Sequence, residues 1–255
     1  MRAAMPSPAS IRVARKWVVG VAFALVGASL LIAWAATSSA RRAPEWWRST
    51  SLDDPATRAV GEEVENGVVS HLYLARPASS EGASDPWTLA LKAGDANAWL
   101  NTRLRSWLAG ADERFEWPED IRDVQVDFDE GRVRVGARVR ATGGERVFSA
   151  TIRPELRDDG SLWTPAERLH IGRLPIPAGW VLDNASSSES ELLPTELVML
   201  PETSHLLDAF EGVQPLRANP SIDLGDGRRV RILAIRSRDG WLEVTCRTEW
   251  DVQHE

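Results

Sequence analysis

From Ile121 onward the apolar residues fall at every second position. Val124, Val126 and Phe128 alternate with Asp123, Gln125 and Asp127. After Asp129-Glu130-Gly131, the residues Val133, Val135, Ala137 and Val139 alternate with Arg132, Arg134, Arg138 and Arg140. After Thr142-Gly143-Gly144, Phe148, Ala150, Ile152 and Leu156 supply a third apolar row. Asp158-Asp159-Gly160 marks a further turn, and the chain returns through Leu162, Leu169 and Ile171. A period of two sends alternate side chains to opposite faces of a strand. The pattern therefore predicts an antiparallel meander with one apolar face. Pro175 and Pro177 lack ladder donors, so 174–177 is excluded from a central strand and is expected to leave at the sheet edge. A last hairpin is predicted from Arg229 to Ser237 and from Trp241 to Trp250, turned by Arg238-Asp239-Gly240. Leu242, Val244 and Cys246 share one face of it, which makes the thiol a small buried hydrophobe.

The chain before the meander has a helical period. Val60, Val64, Val68 and Leu72 recur every fourth residue behind Asp54-Pro55. That predicts a helix starting at Asp54, with proline at its first position, where a missing N–H is harmless. Trp87, Leu89 and Leu91 alternate with Thr88, Ala90 and Lys92, a short strand that Gly94 ends. Asp95 is the expected cap of a second helix reaching Leu108, with Leu100, Leu104, Trp107 and Leu108 on one face and Gly110 closing it. Ser186–Glu189 opens another helical region, interrupted by Pro194 and Pro201.

Residues 17–36 follow neither period. They contain two Gly and one Ser and are otherwise apolar. As a helix they extend about 30 Å, the thickness of a bilayer core. Trp17 and Trp34 lie near the two ends, where interfacial rings sit. The expected organisation is a cytoplasmic tail at 1–16, a transmembrane signal anchor at 17–36, a linker at 37–53 and an exported α+β domain at 54–255. The rival is a signal peptide cleaved near Ala40, where Ser38 and Ala40 form a small pair. Trp46 and Trp47, read as an exposed pair in the linker, suit either the bilayer interface or a return onto the domain.

Charge sharpens this picture. Of 30 basic and 37 acidic residues, six basic and no acidic ones lie in 1–42, leaving the body at a net −13. Such a body repels nucleic acid and anionic headgroups alike. Cys246 is the sole cysteine, so no intrachain disulfide forms.

Candidate chemistry is thin. The histidines His71, His170, His205 and His254 are not paired at chelating spacing. Ser149, Asp127 and His170 are a conceivable triad across strands, without the G-x-S-x-G elbow. Gly225-Asp226-Gly227 precedes a strand and reads as a turn, not a phosphate loop. Asp127, Asp129 and Glu130 lack the rest of a calcium-loop series. The row Arg132, Arg134, Arg138 and Arg140 has the chemistry for an anion, but Asp123 and Asp127 face it across the strands. No catalytic, metal or cofactor residue is assigned.

Two short stretches carry a resemblance. Thr88-Leu89-Ala90-Leu91 followed by Asn97-Ala98-Trp99-Leu100, together with Ile171-Gly172-Arg173-Leu174-Pro175-Ile176-Pro177, resembles the YpmS-like bacterial proteins. That resemblance covers about half of the body and implies one N-terminal span with an exported domain. It implies no activity and no site residues. The expected function is a binding or assembly role at the cell envelope, for a lipid or other apolar ligand or as a partner subunit of an envelope complex. An envelope hydrolase is the remaining reading.

Overall fold

The computed structural model describes residues 34–35, 37–48, 54–77, 82–111, 115–141, 144–176 and 201–250. Of the span expected at 17–36, only residues 34 and 35 are among them, and the helical region at 186–200 lies outside them. No helix among the described residues is long and apolar enough to cross a membrane.

Two antiparallel sheets meet end to end. The first contains β2 (Ile121–Asp129), β3 (Arg132–Ala141), β4 (Gly144–Ile152), β7 (Ala166–Ile171) and β8 (Leu174–Ile176), in that spatial order. This is the meander that the alternation predicts. Val126 faces Val135 and Ala150 along one rung, and Asp127 faces Arg134 on the next. The Leu174–Ile176 segment stays in the sheet as its edge strand, the place where proline is tolerated. The short β5 (Glu155–Leu156) and β6 (Leu162–Trp163) form a separate ribbon.

The second sheet has the order β1-β11-β10-β9, from β1 (Trp87–Lys92), β11 (Trp241–Trp250), β10 (Arg228–Arg238) and β9 (Ser221–Asp223). The predicted last hairpin is its centre. Asp239 and Gly240 both take positive φ, 50° and 81°, as a two-residue hairpin turn requires. Trp87 pairs with Cys246 across most of the chain length. The hairpin tips of the two sheets are joined: the Gly240 N–H donates to the Phe128 carbonyl and the Gly131 N–H to the Ser237 carbonyl, both at 2.9 Å.

The body also holds helices α1 (Pro55–Tyr73), α2 (Ala93–Thr102), α3 (Leu104–Ala111) and α4 (Pro201–Glu211). Asp54 caps α1 by accepting from the Ala56 N–H at 3.1 Å, and Pro55 holds the first position as expected. The helix predicted from Asp95 instead starts at Ala93, directly out of the strand, and it breaks at Arg103. The expected apolar face therefore does not form as one stripe. Ala96 and Ala98 are buried, whereas Trp107 is 55% exposed and lies edge-on to Trp99. Pro201 begins α4 and does not interrupt it. Helix α1 crosses α2 at Gly61, where a Cβ would lie 2.2 Å from Thr102 Oγ1.

The apolar face of the first sheet is covered at the end near the second. Phe128, Val133, Ala150 and Ile152 are buried with Ala96, and Leu91, Leu242 and Phe210 pack against them. A smaller core joins Leu224, Val230 and Cys246 to Leu72 and Trp87. Cys246 is buried, as its face predicts. Burial pushes its thiol up from 9.0 to about 11, against the opposing pull of Arg76.

Candidate functional site

The polar face of the first sheet carries ion pairs laid out by its register. Arg134 donates to Asp127 and Asp129, both at 2.6 Å. Arg138 Nε lies 3.3 Å from Asp123 and its Nη1 lies 3.8 Å from Glu145. Arg132 pairs with Glu167 at 2.6 Å, and Glu167 also accepts from Arg153. Those two arginines hold the Glu167 carboxyl below its usual range. Asp123 goes the other way: burial raises its carboxyl despite Arg138. Three of the four arginines considered for an anion are thus engaged by carboxylates.

The triad candidate is not assembled. Ser149 and His170 are opposite each other on β4 and β7. Asp127 is on β2, three strands from His170, which is about 14 Å at the usual spacing. It is held by Arg134. Burial, with Arg168 adding to it, lowers the His170 imidazole below its usual value. His205 Nε2 lies 3.1 Å from the Leu216 carbonyl oxygen, His71 packs edge-on to Trp87, and His254 lies outside the described residues. Among the described residues no group of three His, Cys, Asp or Glu side chains gathers at a metal-holding distance. Gly225 and Gly227, at φ 73° and 83°, make the turn between β9 and β10, with Asp226 paired to Arg228.

Residues 37–48 lie within the linker expected at 37–53. Residues 37–41 are helical, and the segment is docked on the polar face of the first sheet. Ser39 accepts at its carbonyl from the Arg173 N–H at 2.9 Å, and Ala43 accepts from Arg173 Nε at 3.1 Å. Gly172 takes φ 58°, and a Cβ there would lie within 2.7 Å of the carbonyl oxygens of Ser39, Ala40 and Arg42. Trp47 is 8% exposed, and its ring fills the space that a side chain at Gly136 would occupy. The pair Trp46–Trp47 is therefore not jointly exposed; Trp47 returns onto the domain. Gln125, 1% exposed, bonds Arg48 twice: its Oε1 accepts from the Arg48 N–H at 3.0 Å and its Nε2 donates to the Arg48 carbonyl. Alternation marked Gln125 as polar and outward, and gave no sign that a segment 77 residues earlier would cover it.

The second feature is a cleft of about 740 Å³ where the two sheets meet. Ala90, Ile235, Arg236, Arg238, Trp241 and Glu243 line it from the second sheet, Glu130 and Gly131 from the first. Among the described residues, the charged side chains of Glu130, Arg236, Arg238, Asp239 and Glu243 make no ion pair. That sets them apart from the paired ladder next door. Trp241 is exposed, with Lys92 Nζ 4.9 Å from its ring centre. Sequence periodicity placed each of these residues on a strand or turn, but the cleft needs the joined tips, which are a tertiary contact.

The fold and these features define an α+β body with a docked N-terminal collar and a polar, mixed-charge cleft. No family model, no characterised protein and no solved structure matches the chain.

Proposed function

We propose that this is a single-pass, membrane-anchored envelope protein, with its N-terminus cytoplasmic and its body exported, whose role is binding or assembly and not catalysis. The observation that carries the reading is the grip of Gly172, Arg173 and Gln125 on residues 39–48. Cleavage near Ala40 removes the Ser39 and Ala40 carbonyls around which Gly172 and Arg173 are built. That grip supports retention of the apolar run 17–36, which has the length and flanking charge of a span. The resemblance to the YpmS-like proteins supports the same topology.

The cleft favours a polar or polypeptide partner over an acyl chain. Lipid pockets are lined mainly by apolar side chains, and this cleft carries five charged ones. The filled end of the first sheet is ordinary core by the same reasoning. Topology reporters test the proposal. Alkaline phosphatase fused after Glu255 is expected to be active in a bacterial host, and a fluorescent protein fused there dark. The reverse pattern contradicts an exported body.

A further inference from the structure

The two sheet edges beside α2 are treated differently. On β2, the outward main-chain groups are capped one after another. Phe128 accepts from the Gly240 N–H, Val126 bonds Asn97, Val124 bonds Asn101, and the Ile121 carbonyl accepts from Arg105 and Trp117. On β1 no such caps are present among the described residues. β1 is the outer strand of its sheet, with Leu89 opposite Val244 and Ala90 opposite Glu243. The Ala93 N–H donates across the same gap to Gly240 at 2.8 Å, which sets the phase of the ladder. In antiparallel pairing alternate residues bond the neighbour. Leu89 and Leu91 therefore face β11, and Thr88 and Ala90 turn N–H and C=O outward. Both are exposed, and among the described residues nothing bonds those groups; Lys92 is the N-cap of α2, so its carbonyl belongs to the helix.

We propose that β1 receives an extended segment of a partner polypeptide as a further strand, with a basic side chain lying over Ala90. An uncovered edge is a template for strand addition, in which main-chain bonds give affinity and alternate side chains give specificity. Ala90 is the small residue at the rim of the cleft, and Glu243 is its neighbour on the same face. From an added strand, Glu243 is two strand spacings away, about 10 Å, within the combined reach of an arginine and a glutamate. Arg236 stands opposite Glu243 across β10 and β11 but makes no ion pair with it, so the carboxylate is open to a second cation. The body's net −13 attracts a basic segment and repels a second copy of itself. The inference deepens the binding role proposed above by naming the partner's chemistry.

The test uses the full chain in phosphatidylcholine nanodiscs and two labelled peptides, acetyl-Thr-Val-Arg-Val-Thr-amide and its glutamate-centred counterpart. The arginine peptide is expected to bind about tenfold tighter, and amide exchange at 88–92 to slow when it binds. Glu243→Gln is expected to remove most of that preference. Ala90→Pro deletes an outward donor that the ladder does not use, and is expected to abolish binding of both peptides with the unfolding midpoint nearly unchanged. Should Ala90→Pro fail to fold, Glu243→Gln and the exchange pattern decide. Equal affinity for the two peptides, no binding of either, no protection at 88–92, or sedimentation as a dimer joined through β1 overturns the proposal. A chain that does not enter the nanodisc contradicts the anchor reading instead, and the peptides are then read in solution.

Discussion

Asn97 and Val126 are joined by two hydrogen bonds, side chain to main chain. Asn97 Nδ2 donates to the Val126 carbonyl at 2.9 Å, and the Val126 N–H donates to Asn97 Oδ1 at 2.7 Å. One helical turn on, Asn101 repeats the arrangement with Val124 at 2.7 and 2.9 Å. A helix rises about 6 Å in four residues and a strand about 7 Å in two. Asparagines four apart on α2 therefore stay in register with alternate residues of β2. An amide presents a donor and an acceptor side by side, as a neighbouring strand does. Asn97→Ala is expected to cost about 1–3 kcal/mol, because it orphans a main-chain donor and acceptor together. Asn97→Asp is expected to be destabilising as well, since a carboxylate cannot donate to the Val126 carbonyl. Urea unfolding of both variants and of Asn101→Ala measures this; an unchanged midpoint in all three contradicts it.

The collar supplies a second prediction. Gly172→Ala places a methyl within van der Waals overlap of three carbonyls at a backbone angle that favours glycine. Release of residues 39–48 is the expected result, with the body still folded. Limited proteolysis after Arg41, Arg42 and Arg48 reads it as faster cleavage than in the parent. Gly136→Val is expected to act in the same direction by displacing Trp47, with a red shift of tryptophan emission. Unaltered cleavage in both variants argues against a docked collar.

Helix crossing at Gly61 gives a third. A methyl there meets Thr102 Oγ1 at 2.2 Å and the Ala98 carbonyl oxygen at 3.2 Å. Gly61→Ala is expected to lose about 1–3 kcal/mol through overpacking. Adding Thr102→Ala removes the hydroxyl and should recover part of the loss, a non-additivity that a double-mutant cycle detects.

The lone thiol gives a pH dependence. The Cys246 thiol is raised from 9.0 to about 11 in the folded protein, so its neutral form is favoured there. The contribution is fully present below pH 9 and is lost as the pH rises through about 11, since over that interval the unfolded chain binds fewer protons. The stability difference between the parent and Cys246→Ala is therefore expected to shift toward the variant between those values. Ellman's reagent at pH 8 is expected to leave the native thiol untouched and to label it once the chain is unfolded.

What the sequence made legible was local. The alternation of Val124 to Phe128 against Asp123 to Asp127, the Asp54-Pro55 start and the Asp239-Gly240 turn all rest on neighbouring residues, and all stand in the structure. The pairing of Trp87 with Cys246 and the placing of Trp47 on Gly136 join distant segments, and no short-range period encodes them. Asn97 stood inside a motif noted for its resemblance, but its work at the β2 edge needs the strand beside it. The helix expected from Asp95 starts at Ala93 because it runs directly out of β1, and its apolar face is not one stripe because the helix breaks at Arg103.

The intact mass of the protein recovered from bacterial membranes decides between an anchor with a docked collar and a cleaved leader. A membrane-bound chain that keeps the residues before Arg41, close to the 28.2 kDa of the full sequence, is expected. A mature chain beginning at Arg41 and released from the membrane would contradict it.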